Sequence, residues 1–291
     1  MAQLIINIIY TFGIILLIGY SFRCIYSTLH FFHLAHAVTL TLGGYLVYEF
    51  SALCGLPFWF SVLLAILGGA LIMFGAYFFL YQLGIQQRVA GWRMMVVSLG
   101  LYVVLQNVIS LVWGSTRLRM QTWEESIGYE LLGGYITKTQ IVSILISVLL
   151  VLTVSFIVSC TSAGKRIKAV SSNPEMSAVL GLSNNGVMAL SVAIGSALMA
   201  AAGIMIGADI SLSPTMGFDW LLYGVVAIII AGTGRVRYLV MGALLLATAQ
   251  HLSAFLLDSK WMNATAYVIL IIFLYFRPYG FSGQGLKKTE V

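Results

Sequence analysis

Three histidines, His30, His33 and His36, recur at intervals of three near the start of the second apolar run. On a helix this spacing places three imidazoles within about a third of one face. Such a trio could hold a metal ion if an acid or a fourth donor stood nearby. No carboxylate or cysteine sits at helical spacing among them, and Cys24 is remote. No metal and no cofactor is therefore expected, and the histidines are read as capping the end of a helix. Gln106 and Asn107 fall in the middle of the run "SLGLYVVLQNVISLVW". Their amides either face a substrate path or bond a neighbouring helix, the two uses of polar groups inside a membrane. Asp209 and Asp219 bracket "ISLSPTMGF", a turn containing Pro214 and Gly217, and are read as solvated, as are Glu49 and Asp258.

Enzyme signatures are missing. "GKR" at 164–166 lacks the earlier glycine and the Ser/Thr of a phosphate-binding loop. No H-E-x-x-H, no G-x-S-x-G and no paired intramembrane carboxylates occur. A carrier driven by protons normally buries Asp, Glu or Lys in its spans. Here the apolar runs are nearly uncharged, which points to an energy source outside the chain.

The elements that must position these residues follow from composition. The chain of 291 residues is 60% hydrophobic and 8% charged, with a mean hydropathy of +1.00. A soluble domain would carry roughly a quarter charged residues. Continuous apolar runs select helices over a barrel, because backbone polar groups must be satisfied within lipid. The expected fold is all-α: a polytopic helical membrane bundle of about 8–9 transmembrane helices, forming a single transmembrane domain over 1–291. Candidate spans are 3–22, 34–51, 57–82, 94–113, 140–160, 186–207, 219–234, 237–257 and 262–276, of which 219–234 is short enough to be re-entrant. The first lacks a basic n-region and a cleavage site, so it reads as a retained span. Three scattered cysteines give no disulfide framework.

The charge of +6 is a topology signal and needs no nucleic acid. With the N-terminus outside and the C-terminus inside, Arg23, Arg88, Arg93, Lys165, Arg166, Lys168, Arg235, Arg237, Arg277, Lys287 and Lys288 face the cytoplasm. Only Arg117, Arg119, Lys138 and Lys260 face out, and a Lys/Arg excess marks cytoplasmic loops.

Two loops stand out. The outer one, 114–139, mixes charge with Trp123, Tyr129 and Tyr135, and is read as a short amphipathic helix at the interface ahead of a docking surface. The inner one, 161–185, concentrates Lys165, Arg166, Lys168 and Glu175. Within it Asn173 suits an N-cap, Pro174 the first turn, Glu175 the positive end of the dipole, and Gly181 a stop. A two-turn helix is predicted, with Met176, Val179 and Leu180 on one side of Ser177 and Ala178. Insertion into a partner's groove and rest on lipid headgroups both use that face. In the next run Gly195, Gly203 and Gly207 repeat at multiples of four, a helix-packing pattern that places this helix centrally.

Taken in order, these stretches resemble the Liv-type (branched-chain amino acid) permease family of bacterial ABC importers, over about residues 10–282. "HLAHA" (33–37) and "LGGY" (42–45) are similar to its "NFAHG" and "LGAY" boxes. "QQRVAGW" is similar to "ERVAYRP", "SLGLYVVLQN" to "IGLS-LQN", and "RPYGFSG" to "RPQGLFG". The longest likeness is "GKRIKAVSSNPEMSAVLGL" followed by "ALSVAIGSALMAAAG". Departures are His33, Ala37 and Val38 in the second-span box, and Arg235 and Arg237 where small residues are usual. The resemblance implies a multi-pass permease in the bacterial inner membrane without ATPase activity. It would pair with a second permease, sit on two ATP-binding subunits and receive substrate from a periplasmic binding protein. Residues 173–181 would be the coupling helix that an ATPase grips, and His36, Gln106 and Asn107 would line the pathway. Branched-chain amino acids, other amino acids, urea and short amides fit the family. A sugar or nucleoside ABC permease, or a stand-alone channel or scaffold, is the competing reading.

Overall fold

Each long apolar run becomes a helix in the computed structural model, which describes residues 1–120, 128–131, 133–232, 236–277 and 279–282. The helices are α1 (Ala2–Leu29), α2 (His36–Tyr48), α3 (Phe58–Ala76), α4 (Gln82–Gln86), α5 (Gly91–Trp113) and α6 (Lys138–Cys160), followed by α7 (Ser162–Ser172), α8 (Pro174–Val179), α9 (Asn184–Asp209), α10 (Met216–Ala231), α11 (Val236–Leu256) and α12 (Trp261–Phe276). π-helical turns at Glu49–Leu53 and Tyr77–Tyr81 prolong α2 and join α3 to α4. Among the described residues six helical segments are long and apolar enough to cross a membrane; α10 and α12 are shorter apolar helices. The protein is a helical polytopic membrane protein.

The structure corrects several expectations. Within the 114–139 loop, β1 (Gly128–Leu131) pairs antiparallel with β2 (Gly134–Thr137) as a hairpin, where an amphipathic helix was expected. Gly133, at φ 81°, supplies the left-handed turn that a helix could not use. The loop at 161–185 holds two helices, because the amphipathic stretch before Asn173 closes its own turns as α7. Residues 30–35 lie outside any helix, so His30 and His33 do not share a helix face with His36. Trp123, Arg235, Lys287 and Lys288 lie outside the described residues.

The chain divides into two compact units. One comprises Met1–Tyr20, Thr122–Val151 and Asp219–Leu286. In it α11 packs on α12, and Gly224 lies against Ile18 and Gly19 of α1 so closely that no side chain fits. Thr11 Oγ1 meets His251 Nε2 at 2.7 Å, a pairing that the separation of 240 residues hides from any local pattern.

The other unit comprises the described residues of Ser21–Gln121 and Leu152–Phe218, and α9 is its core. The most apolar stretch of α9 is 78% buried, against 11% for α5. Small residues let its neighbours touch its backbone. A Cβ on Gly195 would stand 2.6 Å from Ile25 and 3.0 Å from the Ser21 carbonyl. One on Gly203 would fall on the Leu40 carbonyl of α2, and one on Gly207 would collide with Leu212. Gly43 of α2 presses on the Ala200 backbone in return. Such backbone contact is how membrane helices gain dispersion energy where lipid removes the hydrophobic driving force.

Candidate functional site

Polar chemistry in this second unit gathers where α2 begins. His30 ends α1 in the left-handed conformation, and the chain runs non-helically to Ala35 before turning helical at His36. Ser21 lies eight residues before the end of α1, about 12 Å along it at 1.5 Å per residue. Its hydroxyl donates to the Gly195 carbonyl at 2.8 Å and lies 2.6 Å from His36 Nε2. A serine has one proton to give, so His36 Nε2 is the donor to Ser21, and Nδ1 is left as the acceptor. The second helix thus starts about two turns deep alongside α1 instead of at its end. The Ala35 N–H donates to Ser98 Oγ at 2.9 Å, which ties the entry loop to α5.

His33 and His36 are fully buried. Their ring centroids are 5.9 Å apart, and Tyr81, from the π-helical turn, packs edge-on at 4.9 Å from His33. Both ring nitrogens of His33, Nδ1 of His36 and the Thr39 hydroxyl have no hydrogen-bond partner. Buried polar groups are normally satisfied, and π-helical turns gather at functional sites. The start of α10 reaches the same place: the Gly217 N–H donates to Thr41 Oγ1 at 3.2 Å, and Gly217 lies under the Ala37 carbonyl. Two short helices, α2 and α10, thus begin against each other. The visible signal in the sequence was the short apolar run 219–234. Ser21, Ser98 and Tyr81 carried no signal.

Ser21→Ala would leave the His36 Nε2–H without its partner in the interior. A loss of about 1–3 kcal/mol is expected, read as a lowered thermal midpoint of the detergent-solubilised protein. An unchanged midpoint would mean that the His36 ring turns to another partner.

The other predicted site residues are not brought to this point. Asn107 lies exposed on α5 and donates Nδ2–H to its own helix at the Val103 carbonyl, 2.7 Å away; Gln106 is half-buried. Glu49 is not simply solvated: it is half-buried and accepts from Trp113 Nε1 at 2.7 Å. Among the described residues no group of three or more His, Cys, Asp or Glu side chains could hold a metal ion.

The charged loop forms a separate surface. Thr161 caps α7 by accepting from the Gly164 N–H at 3.2 Å. Ile167 and Val170 are buried, while Lys165, Arg166 and Lys168 stay exposed. Asn173 caps α8 by accepting from the Met176 N–H at 3.0 Å, and Pro174 holds the first turn. Gly181, at φ 80°, closes α8 with the Leu182 N–H bonded to the Ser177 carbonyl. Ser177 turns inward and is buried. Glu175 and Ala178 are exposed, and outward go the apolar side chains of Met176, Val179 and Leu180, which are 57%, 82% and 74% exposed. This short helix wears its apolar residues on the outside.

Behind α8 lies a cavity of about 680 Å³, bounded by the end of α1, the α4–α5 elbow and the start of α9. Arg88 and Glu175 line it, with Phe31, Ile85, Met94 and Met188 among its walls. His30 and Arg88 are the only non-glycine residues with positive φ among those described, and both line this cavity. Each stands where a glycine would be cheaper by about 1 kcal/mol.

A family model described as "Branched-chain amino acid transport system / permease component" matches residues 4–276. The chain belongs to this permease family. Among its relatives, the high-affinity branched-chain amino acid transport system permease protein LivH of Escherichia coli K12 is 24% identical over 279 residues, covering 92% of this chain and 91% of the relative. BraD of Pseudomonas aeruginosa PAO1, a permease protein of the same description, is 24% identical with the same coverage, and LivH of Salmonella typhimurium is 25% identical. The solved structure of PsaBC from Streptococcus pneumoniae in complex with Fab shares the fold, with a TM-score of 0.50 and 10% identity over 94% of this chain and 91% of that one. The permease is thus a multi-pass inner-membrane protein of the ABC transporter type.

Proposed function

We propose that the permease is the membrane subunit of a bacterial ABC importer that moves a small apolar amino acid, of the branched-chain type, into the cell. Two ATP-binding subunits drive it, a second permease, most simply a paralogue, completes the pathway, and a periplasmic binding protein delivers substrate. The N-terminus is outside and the C-terminus cytoplasmic, which gives the Lys/Arg excess to the cytoplasmic loops. The observation that carries the reading is α8, a capped two-turn helix whose apolar side chains face outward on the predicted cytoplasmic side. An exposed apolar row of this kind suits a protein groove. Asn173 to Gly181 form the coupling segment, and Lys165, Arg166 and Lys168 beside it meet anionic headgroups or the ATPase. His36, with its unpaired Nδ1, lines the pathway. Gln106 and the exposed Asn107 line it at the face turned to the second permease.

The test is reconstitution with the neighbouring ATP-binding subunits and binding protein in proteoliposomes. Uptake of radiolabelled leucine that requires both ATP and the binding protein is expected. Passive flux through the permease alone would favour a channel, and uptake of a sugar or nucleoside would move the substrate class.

A further inference from the structure

We propose that the cavity beside α8 binds a free α-amino acid with an apolar side chain and that occupancy restrains α8, slowing import as product accumulates. The proposal rests on the reading of α8 as the coupling segment. Its volume of about 680 Å³ lies within the range of small-molecule sites, roughly 300–1,000 Å³. The lining offers each part of such a molecule a match. Arg88, exposed at the α4–α5 elbow, presents the planar donor fork that suits a carboxylate. Glu175, on α8, presents an acceptor for an ammonium group. Phe31, Ile85, Met94 and Met188 give the side chain an apolar wall.

The backbone field has the same two signs. The helices α5 and α9 begin at the cavity with Gly91 and Asn184, and α1 ends there with Leu29. Helix starts favour negative charge and helix ends positive charge. A simple anion would meet Glu175, and a simple cation would meet Arg88; a zwitterion meets neither penalty. His30 and Arg88 hold nitrogen-bearing side chains at backbone positions that favour glycine, and both belong to this lining. The link to α8 is direct. Pro174, Glu175 and Ala178 of α8 line the cavity, and Asn184 Nδ2 donates to the Pro174 carbonyl at 2.7 Å. A ligand bridging Arg88 and Glu175 would hold α8 against the elbow.

The experiment uses the assembled importer in lipid nanodiscs with its binding protein already saturated, so that added leucine acts only through another site. ATP hydrolysis is expected to fall as free L-leucine is raised. In Arg88→Gly, which suits the φ of 53° at this position, the half-inhibiting concentration should rise roughly tenfold to a hundredfold, the cost of a lost charge-assisted bond. Arg88→Lys should recover part of it. Isocaproate and isoamylamine, each lacking one charge of leucine, should inhibit far more weakly than leucine. No inhibition in the wild type, or an unchanged response in Arg88→Gly, overturns the proposal. So does a variant that hydrolyses less ATP without leucine but keeps the wild-type response, since the cavity would then serve an ATPase side chain. A second arm measures radiolabelled leucine binding to the permease alone. If the importer carries no leucine, Arg88-dependent binding in this arm would keep the site, and its absence would remove it.

Discussion

Met176→Arg lowers ATP-driven uptake at least tenfold while the thermal stability of the isolated permease stays where it was. The side chain is more than half exposed on α8, so an arginine there is solvated and costs the fold little, within about 0.5 kcal/mol. In a docked complex the same position is covered. Anchor residues at the centre of an interface carry 2 kcal/mol or more each, about a thirtyfold change in affinity. The variant should therefore lose its ATP-binding subunits during purification, and ATP hydrolysis should no longer respond to loaded binding protein. Val179→Arg should behave alike, because Val179 is more exposed still. Wild-type uptake from both variants would sink the coupling role of α8.

The second large effect is on the fold. Gly203→Leu should yield no monodisperse permease, and even Gly203→Ala should lower the thermal midpoint by several degrees. A Cβ at this position falls on the Leu40 carbonyl, and the obstacle is backbone, which cannot rotate away as a side chain would. Separating α2 from α9 enough to admit a methyl group disturbs Gly43 against Ala200 and threatens the Ser21–His36 contact. Overpacking of this sort costs about 1–3 kcal/mol, and the leucine more. Gly100→Ala is the control. Nothing lies within 4 Å of a Cβ there, and alanine favours the helix by about 1 kcal/mol. A Gly203→Ala protein as stable as the Gly100→Ala protein would falsify the packing argument.

How far the sequence leads depends on whether the signal is local. Asn173, Pro174 and Gly181 bound α8 within a residue, because caps and stops act through neighbouring backbone groups. Between Gly128 and Thr137 the expected helix is a hairpin, because scattered charge and aromatics suit either one and only the pairing of Tyr129 with Ile136 decides between them. Gln106 and Asn107 are legible as polar groups inside a span, but the exposure of Asn107 on α5 is set by what packs elsewhere.

By itself the sequence determined a helical membrane protein, the long apolar runs that become its helices, the capped segment between α7 and α9, and the small-residue helix made for close contact. Those features follow from hydropathy, capping and residue size, which act over a few residues. Only the tertiary structure decided that α2 starts deep beside α1, that His36 meets Ser21 while His33 stays unpaired, and that Arg88 and Glu175 share one cavity. These pairs lie from 15 to 87 positions apart, and what brings them together is how closely backbones approach where glycine leaves room.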